Sequence, residues 1–520
     1  MISRSALFQQ LANAASFDIA IIGGGATGLG VALDAAARGF KVALFESHDF
    51  AKGTSSRATK LVHGGVRYLA QGNISLVREA LHERTTLLAN APHIAQPLPF
   101  VMPSYAWWQA PFYGMGLKMY DLLAGKAGLG RTEFLSRSET LKLLPNARES
   151  GLTGGVKYWD GQFDDARLAL ALAQTAAQRG ALLINYCAAT GLIHEGGKVA
   201  GLKVQDKETG QSYSVKANCV INAAGVWVDE FRQMDGEQTK RPVKAMVAPS
   251  QGTHLVVDRE FMPSDHAILI PKTADGRVLF IVPWLGKLIL GTTDSPRDDL
   301  AREPMAFKDD TGFILGEAAK YLTRAPQRSD VKSIWVGLRP LVKPPDEDGG
   351  NTKKLSREHT ILVSKSGLLT VTGGKWTTYR AMAEDVLDNA FDAKLLPQRA
   401  GAVTVKLPLS GSLGTNKRIS DAPGMHMYGS AASEVQAMPG TANELCAGLT
   451  EAMVRYAARF EYARTVEDML ARRSRLLFLD AKLAASIAQS VATILQEETG
   501  VDPQLDAFLV LAKQYATLPD

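Results

Sequence analysis

Only three cysteines occur in 520 residues, Cys187, Cys219 and Cys446, and they stand far apart with no metal-ligand spacing. Such a set neither staples a small scaffold nor builds a zinc site, and it reads as buried thiols in a reducing compartment. No apolar run reaches bilayer-spanning length. Residues 1–16 carry one Arg and no acid but lack a continuous apolar segment, which argues against a secretory signal. Ile2, Leu7, Phe8 and Leu11 suit either a short amphipathic helix or a frayed terminus. Excess charge is also scarce, a net +5. No nucleic-acid partner is expected from that value, which suits an anionic substrate or an acidic membrane surface. There is no G-x-S-x-G elbow, and the C-terminal region has no D-x-[DN]-x-[DN]-G calcium loop. What remains, 46% hydrophobic and 21% charged residues, is ordinary for a large folded chain of two or three domains.

The most informative stretch is Phe17 to Arg38, FDIAIIGGGATGLGVALDAAAR. The apolar run Ile19 to Ile22 predicts a buried parallel strand, and Leu29, Leu33 and Ala36 recur at helical spacing. Between them Gly23, Gly25 and Gly28 fit G-x-G-x-x-G. Gly23 allows the tight turn, Gly25 admits a pyrophosphate against the backbone, and Gly28 lets helix pack on strand. The helix N-terminus, with Ala26 and Thr27, then faces the phosphates with unpaired N–H groups. A second predicted strand, Val42 to Phe45, ends in Glu46, placed to hydrogen-bond a ribose hydroxyl. Strand, helix and terminal acid in register predict a dinucleotide site.

Gly53 to Leu69 is poor in periodic apolar residues and dense in small, hydroxyl and basic ones. It suits a loop lying against a flat cofactor. The glycine motif together with T-S-S…K-L-x-H-G-G-x-R-Y-L resembles the FAD-dependent glycerol-3-phosphate dehydrogenases of the D-amino-acid-oxidase-like superfamily. Gly291-Thr292-Thr293-Asp294, Val336-Gly337-Leu338-Arg339-Pro340 and Gly373-Gly374-Lys375-Trp376-Thr377-Thr378-Tyr379-Arg380 repeat the likeness. The resemblance implies an α/β fold: a Rossmann-like FAD-binding domain interleaved with an antiparallel-sheet substrate domain, plus a C-terminal all-helical domain. It implies oxidation of sn-glycerol 3-phosphate to dihydroxyacetone phosphate, with electrons passed to quinone, by a protein peripheral to the cytoplasmic face of a membrane. A homodimer is an open option. The rivals are an oxidase making hydrogen peroxide, an amine oxidase on the same scaffold, and a catalytically silent flavoprotein.

The expected cofactor domain comprises residues 1–90, 151–240 and 346–395. The expected substrate domain comprises 91–150 and 241–345, and 396–520 hold a linker and the helical domain. Helices are expected over 74–90 and 164–179. Short strands are expected at Leu182–Cys187, Val199–Val204, Tyr213–Val215 and Val220–Trp227. Further strands begin at His254, Ala267, Val278 and Leu288, with hairpins at Asp275-Gly276 and Leu285-Gly286-Lys287. Phe100 to Gly130 mixes seven aromatics with Lys118 and Lys126, and Arg131 follows. It suits a membrane interface or the core of a cap domain, and the two are compatible if only part is exposed. Residues 408–442 read as a linker or irregular crossing. Arg464, Arg472, Arg473 and Arg475 read as a solvated face with local ion pairs.

Flavin-linked oxidation of an alcohol needs an acceptor for the hydroxyl proton, and a phosphate ester needs cations. The resemblance makes His254 the expected base, a role that suits an imidazole titrating near working pH, and His63 is a second candidate. Arg339 is expected to lower the alkoxide's energy. The resemblance implies that Arg67, Tyr68, His254, Arg339, Arg357 and Lys375 line the substrate pocket. The expected cofactor set is Gly23, Gly25, Ala26, Thr27, Gly28, Glu46, Thr54, Ser55, Ser56, Lys60, His63, Gly64, Gly65, Ala224, Gly225, Gly374, Lys375 and Thr377. No metal is expected.

Overall fold

The computed structural model describes residues 3–65, 73–343 and 359–519. The predicted first strand, Phe17–Ile22, forms the middle of a mixed sheet. On one side it pairs in parallel with Val42–Phe45, and on the other with Ser212–Asn222. Leu182–Ile184 and Leu368–Gly373 extend the parallel set, and His359–Val363 closes one edge antiparallel. Helices Ala26–Ala37, Asp165–Gln178 and Tyr379–Asp392 supply residues to the core on this sheet. Asp164 starts the second of them, its Oδ1 accepting the Ala166 and Arg167 N–H groups at 3.1 Å. Ser212–Asn222 is one strand rather than the two expected. It pairs antiparallel with Lys198–Asp206 at its start and parallel with Phe17–Ile22 at its end.

Among the described residues the second sheet has ten strands. Val247–Asp258 pairs antiparallel with Ser333–Val342 and with Lys287–Gly291, and Leu279–Trp284 follows. At the expected hairpin, Leu285 (φ 47°) and Gly286 (φ 79°) both take positive φ, the geometry that two-residue hairpins need to match strand twist. The longest pairing on the far side, Ala95–Ser104 with Gly154–Phe163, was not expected. Pro97, Pro99 and Pro103 sit at alternate positions of the first strand and so withdraw N–H groups from one edge only.

Helix Arg4–Asn13 buries Phe8 and Leu11, stacks Phe8 on Tyr213 and ties Arg4 to Asp206, so the amphipathic alternative for this segment holds. Residues 408–442 are irregular but seated. The Ile419 and Ser420 carbonyls accept the N–H groups of Leu285 and Gly286 at 2.8 and 3.0 Å. Beyond them lie a short hairpin, the helices Glu451–Phe460, Ala481–Thr499 and Leu505–Ala516, and a π-helical turn, Asp468–Arg473. One core runs from these helices into the second sheet through Trp284, Trp335 and Phe478.

The arginine cluster overturns the solvated-face expectation. Arg472, Arg473 and Arg475 are buried among Asp49, Asp468, Asp164 and Asp165. A charge so removed from water must be paired, and each one is. Arg464 does reach the surface, where it pairs with Glu208.

Candidate active site

Three glycine turns meet at the carboxyl ends of three adjacent parallel strands, Leu368–Gly373, Ser212–Asn222 and Phe17–Ile22. Successive connections from the first strand leave to opposite sides here, so a crevice opens at this switch point. Gly23 has φ 103°, and a Cβ there would stand 2.6 Å from the Ala223 carbonyl. A Cβ on Gly28 would stand 1.9 Å from the Gly23 carbonyl, so only glycine permits this helix-to-strand approach. Gly225 has φ 63°, and nothing within 4 Å would oppose a Cβ, leaving open space beside Ala224. Gly373 and Gly374 form the third turn, with φ 82° and 77°.

The loop after Val42–Phe45 closes on these turns. The Glu46 carboxylate accepts the Gly24 N–H at 2.7 Å and the His48 N–H at 2.9 Å, with burial raising its pKa against these bonds. Ser55 Oγ accepts the Ala26 N–H at 2.9 Å, the first amide of the helix facing the crevice. Ser55 also accepts Trp376 Nε1–H on its carbonyl at 2.9 Å, joining the first turn to the third. Thr54 donates to the Leu338 carbonyl at 2.5 Å. His63 and Thr377 share hydrogen bonds, and the Gly64 N–H donates to Tyr120. Gly65 follows with φ 77°. Two backbone-lined turns at helix N-termini, an acid at the end of the second strand and room at Gly225 fit a flavin dinucleotide.

Lys60 and Ser56 are used differently from expectation. The Lys60 ammonium is fully enclosed, donating to Asp165 at 2.7 Å and to the Ser56 carbonyl at 2.8 Å, with the rings of Trp284, Trp335 and Phe478 around it. Burial and the neighbouring Arg475 pull it down to about 7 while Asp165 works against them. Its carbonyl accepts the Phe163 N–H at 3.1 Å, so backbone and side chain alike are engaged inside the protein.

On the second sheet, His254 and Arg339 stand on paired strands, with His254 opposite Trp335 and Arg339 opposite Ser250. Arg339 lies over Gly252, where a Cβ would come within 2.4 Å of Nη2. It donates to the Thr293 carbonyl at 3.1 Å, to Asp294 at 3.2 Å and to Thr292 Oγ1 at 3.3 Å. His254 is 2% exposed and stacks on Trp335 at 4.0 Å. Its Nε2 lies 3.0 Å from Thr59 Oγ1, and its Nδ1 is buried with no hydrogen-bond partner among the described residues. Burial first, then Arg339 and Lys60, hold this imidazole neutral. The half-buried Thr59 hydroxyl is therefore the open end of the His254 pair, and sequence reasoning passed over it. Lys375 is half-buried immediately after the Gly374 turn. Arg67, Tyr68 and Arg357 lie outside the described residues.

Residues 18–380 match the model of the FAD dependent oxidoreductase family, and 402–505 match the C-terminal domain of alpha-glycerophosphate oxidase. The mitochondrial glycerol-3-phosphate dehydrogenase of Rattus norvegicus is 42% identical over 95% of this chain and 72% of its own length. The chain belongs to the FAD-dependent glycerol-3-phosphate dehydrogenase family. The human mitochondrial enzyme is 41% identical over 96% of this chain and 73% of its own. Among solved structures, the glycerol-3-phosphate dehydrogenase of Bacillus halodurans complexed with FAD is similar with a TM-score of 0.77. It is 28% identical, with 99% of this chain and 98% of that one covered. The Mycoplasma pneumoniae L-alpha-glycerophosphate oxidase, 19% identical with a TM-score of 0.57, shares the fold. The family is an FAD-dependent one, and the crevice described above is of the kind that cofactor requires.

Proposed function

We propose that this chain oxidises sn-glycerol 3-phosphate to dihydroxyacetone phosphate and passes the electrons to quinone. The observation that carries the reading is the meeting of the dinucleotide crevice with a second sheet bearing Arg339 and the Thr59–His254 pair. The three glycine turns, with Glu46 placed for a ribose hydroxyl, would hold FAD, which would supply the two-electron acceptor for the carbinol C–H. Arg339, already turned into its cage of carbonyls and Asp294, orients the substrate and stabilises negative charge on the oxidised carbon's oxygen. Thr59 Oγ1 receives the hydroxyl proton and hands its own to His254 Nε2; burial, Arg339 and Lys60 disfavour the charged imidazole, so it serves as a relay for the proton and not, as expected from the sequence, as a base titrating near working pH. Lys375, and Arg67, Tyr68 and Arg357 by resemblance, provide the phosphate and triol contacts.

The protein in this reading docks peripherally on the cytoplasmic face of a membrane. Among the described residues no helix is long and apolar enough to cross one. Helix Gln109–Ala124 and the residues before it instead expose Trp107 (82%), Phe112 (63%), Met115 (68%) and Leu122 (80%), with Lys118 and Lys126 beside them. Phe100 and Tyr120 of the same stretch are in the core, and the exposed side chains are what supports the membrane reading. Basic groups beside an apolar stripe favour anionic lipid over a homodimer seam, in which like charges would face each other.

The deciding experiment is anaerobic addition of glycerol 3-phosphate to the yellow holoenzyme. Bleaching of the flavin band, followed by fast reoxidation with a soluble quinone and slow reoxidation with oxygen, is expected. A flavin that stays oxidised would sink the reading, and fast reoxidation by oxygen would make the chain an oxidase.

A further inference from the structure

The C-terminal helical region reaches the cofactor crevice from behind, through buried arginines. The loop of residues 46–60 carries Glu46, Thr54 and Ser55 to the glycine turns, and two of its points are gripped from the far side. Near its start, Asp49 accepts Arg472 Nε at 2.5 Å and Arg473 Nη2 at 3.0 Å. Near its end, Arg475 Nη2 donates to the Ser56 carbonyl at 2.7 Å and to Asp165 at 3.1 Å. The side chains of Arg475 and Asp165 are wholly enclosed. Arg475 holds a left-handed backbone (φ 65°, ψ 6°) two residues past the end of the π-helical turn. A non-glycine residue stays in that conformation only where its surroundings fix it.

The grip matters because of what stands one residue away. Ser55 Oγ receives the Ala26 N–H at the mouth of the phosphate helix, and it lies 3.0 Å from where a Cβ on Gly25 would be. The two serines are thus held from opposite sides, Ser55 by the phosphate helix and Ser56 by the C-terminal domain.

We propose that Arg475, supported by Arg472 and Arg473, is a positioning residue that latches the 46–60 loop over the crevice, so that the C-terminal domain sets how tightly FAD is held. The inference rests on the reading of Gly23–Gly28 and Ser55 as the cofactor cradle. A guanidinium is suited to the task because its rigid fork serves a carbonyl and a carboxylate at once, whereas an ammonium is a single compact charge.

The test compares full-length R475M, R475K, V491A and G25A. Val491 is buried in helix Ala481–Thr499 and controls for weakening of the helical domain alone. FAD affinity is read from the return of free-flavin fluorescence on dilution, alongside the thermal midpoint of each apoprotein. R475M should raise the FAD Kd at least tenfold and R475K by less. V491A should lower the midpoint with Kd within twofold of wild type. A Kd within twofold of wild type in R475M, or in R475K should R475M fail to fold, overturns the latch. Equal weakening by V491A overturns it too. Retention of FAD by G25A would defeat the cradle reading instead, so the two failures are distinguishable.

Discussion

At the scale of single residues, the proton path is the sharpest claim. Replacing Thr59 by Val removes the hydroxyl that meets His254 Nε2 while keeping the shape. T59V should lower kcat roughly 10- to 100-fold with little change in KM, and T59S should restore most of it. Steady-state kinetics on the reduced-quinone signal decide. Histidines also set the acid limit. Burial lowers His93 to about 3 and His48 to about 4, so both are neutral when folded and protonated when unfolded below about pH 6.5. Their contribution is complete above that pH and is lost as pH falls towards those values. Each such group costs up to ~1.4 kcal/mol per pH unit over that window. Thermal unfolding should therefore show a falling midpoint from pH 7 to pH 5, with a shallower slope in H93Q. Residue types in the cradle were legible because glycine spacing encodes backbone geometry directly. Thr59 was not, since its importance depends on a partner 195 positions away. The buried arginines were misread for the same reason: their carboxylate partners Asp49 and Asp165 sit far upstream.

At the scale of elements, periodic segments read well and proline-rich ones did not. The strand Phe17–Ile22, the helix Asp165–Gln178 and the Leu285-Gly286 hairpin follow from apolar runs, capping and positive-φ turn chemistry. Ala95–Ser104 has three prolines and was not expected as a strand, yet their alternate spacing leaves the other edge able to pair. Helix Gln109–Ala124 carries the membrane claim. A variant with F112S, M115S and L122S should bind vesicles of phosphatidylcholine with phosphatidylglycerol at least tenfold more weakly in co-sedimentation. Its turnover with a soluble electron acceptor should be unchanged. Undiminished binding would move the docking surface elsewhere.

At the scale of the whole molecule, the C-terminal helices share one apolar core with the second sheet. Phe478 packs between Trp335 and Tyr515 at ring distances of 5.2 and 5.5 Å, and Trp335 backs His254. Burying each such ring contributes about 1.5–3 kcal/mol, so removing these helices strips several at once. A chain cut after residue 395 should be insoluble or colourless when expressed, and recovery of a soluble yellow fragment would contradict this. No periodicity revealed that union, because it depends on how two distant faces meet rather than on either face alone.

The contact between Arg475 and Ser56 also has a consequence in time. The two residues are 419 positions apart. At about 5–20 residues per second, the ribosome takes roughly 20–80 s to add the second after the first. The third glycine turn, Gly373 and Gly374, is added about 100 residues before Arg475, so for roughly 5–20 s a nascent chain has all three turns and lacks the arginine. Under the proposed latch, firm capture of the yellow cofactor is expected only in the last stretch of translation, and products terminated before Arg475 are expected to leave the ribosome pale.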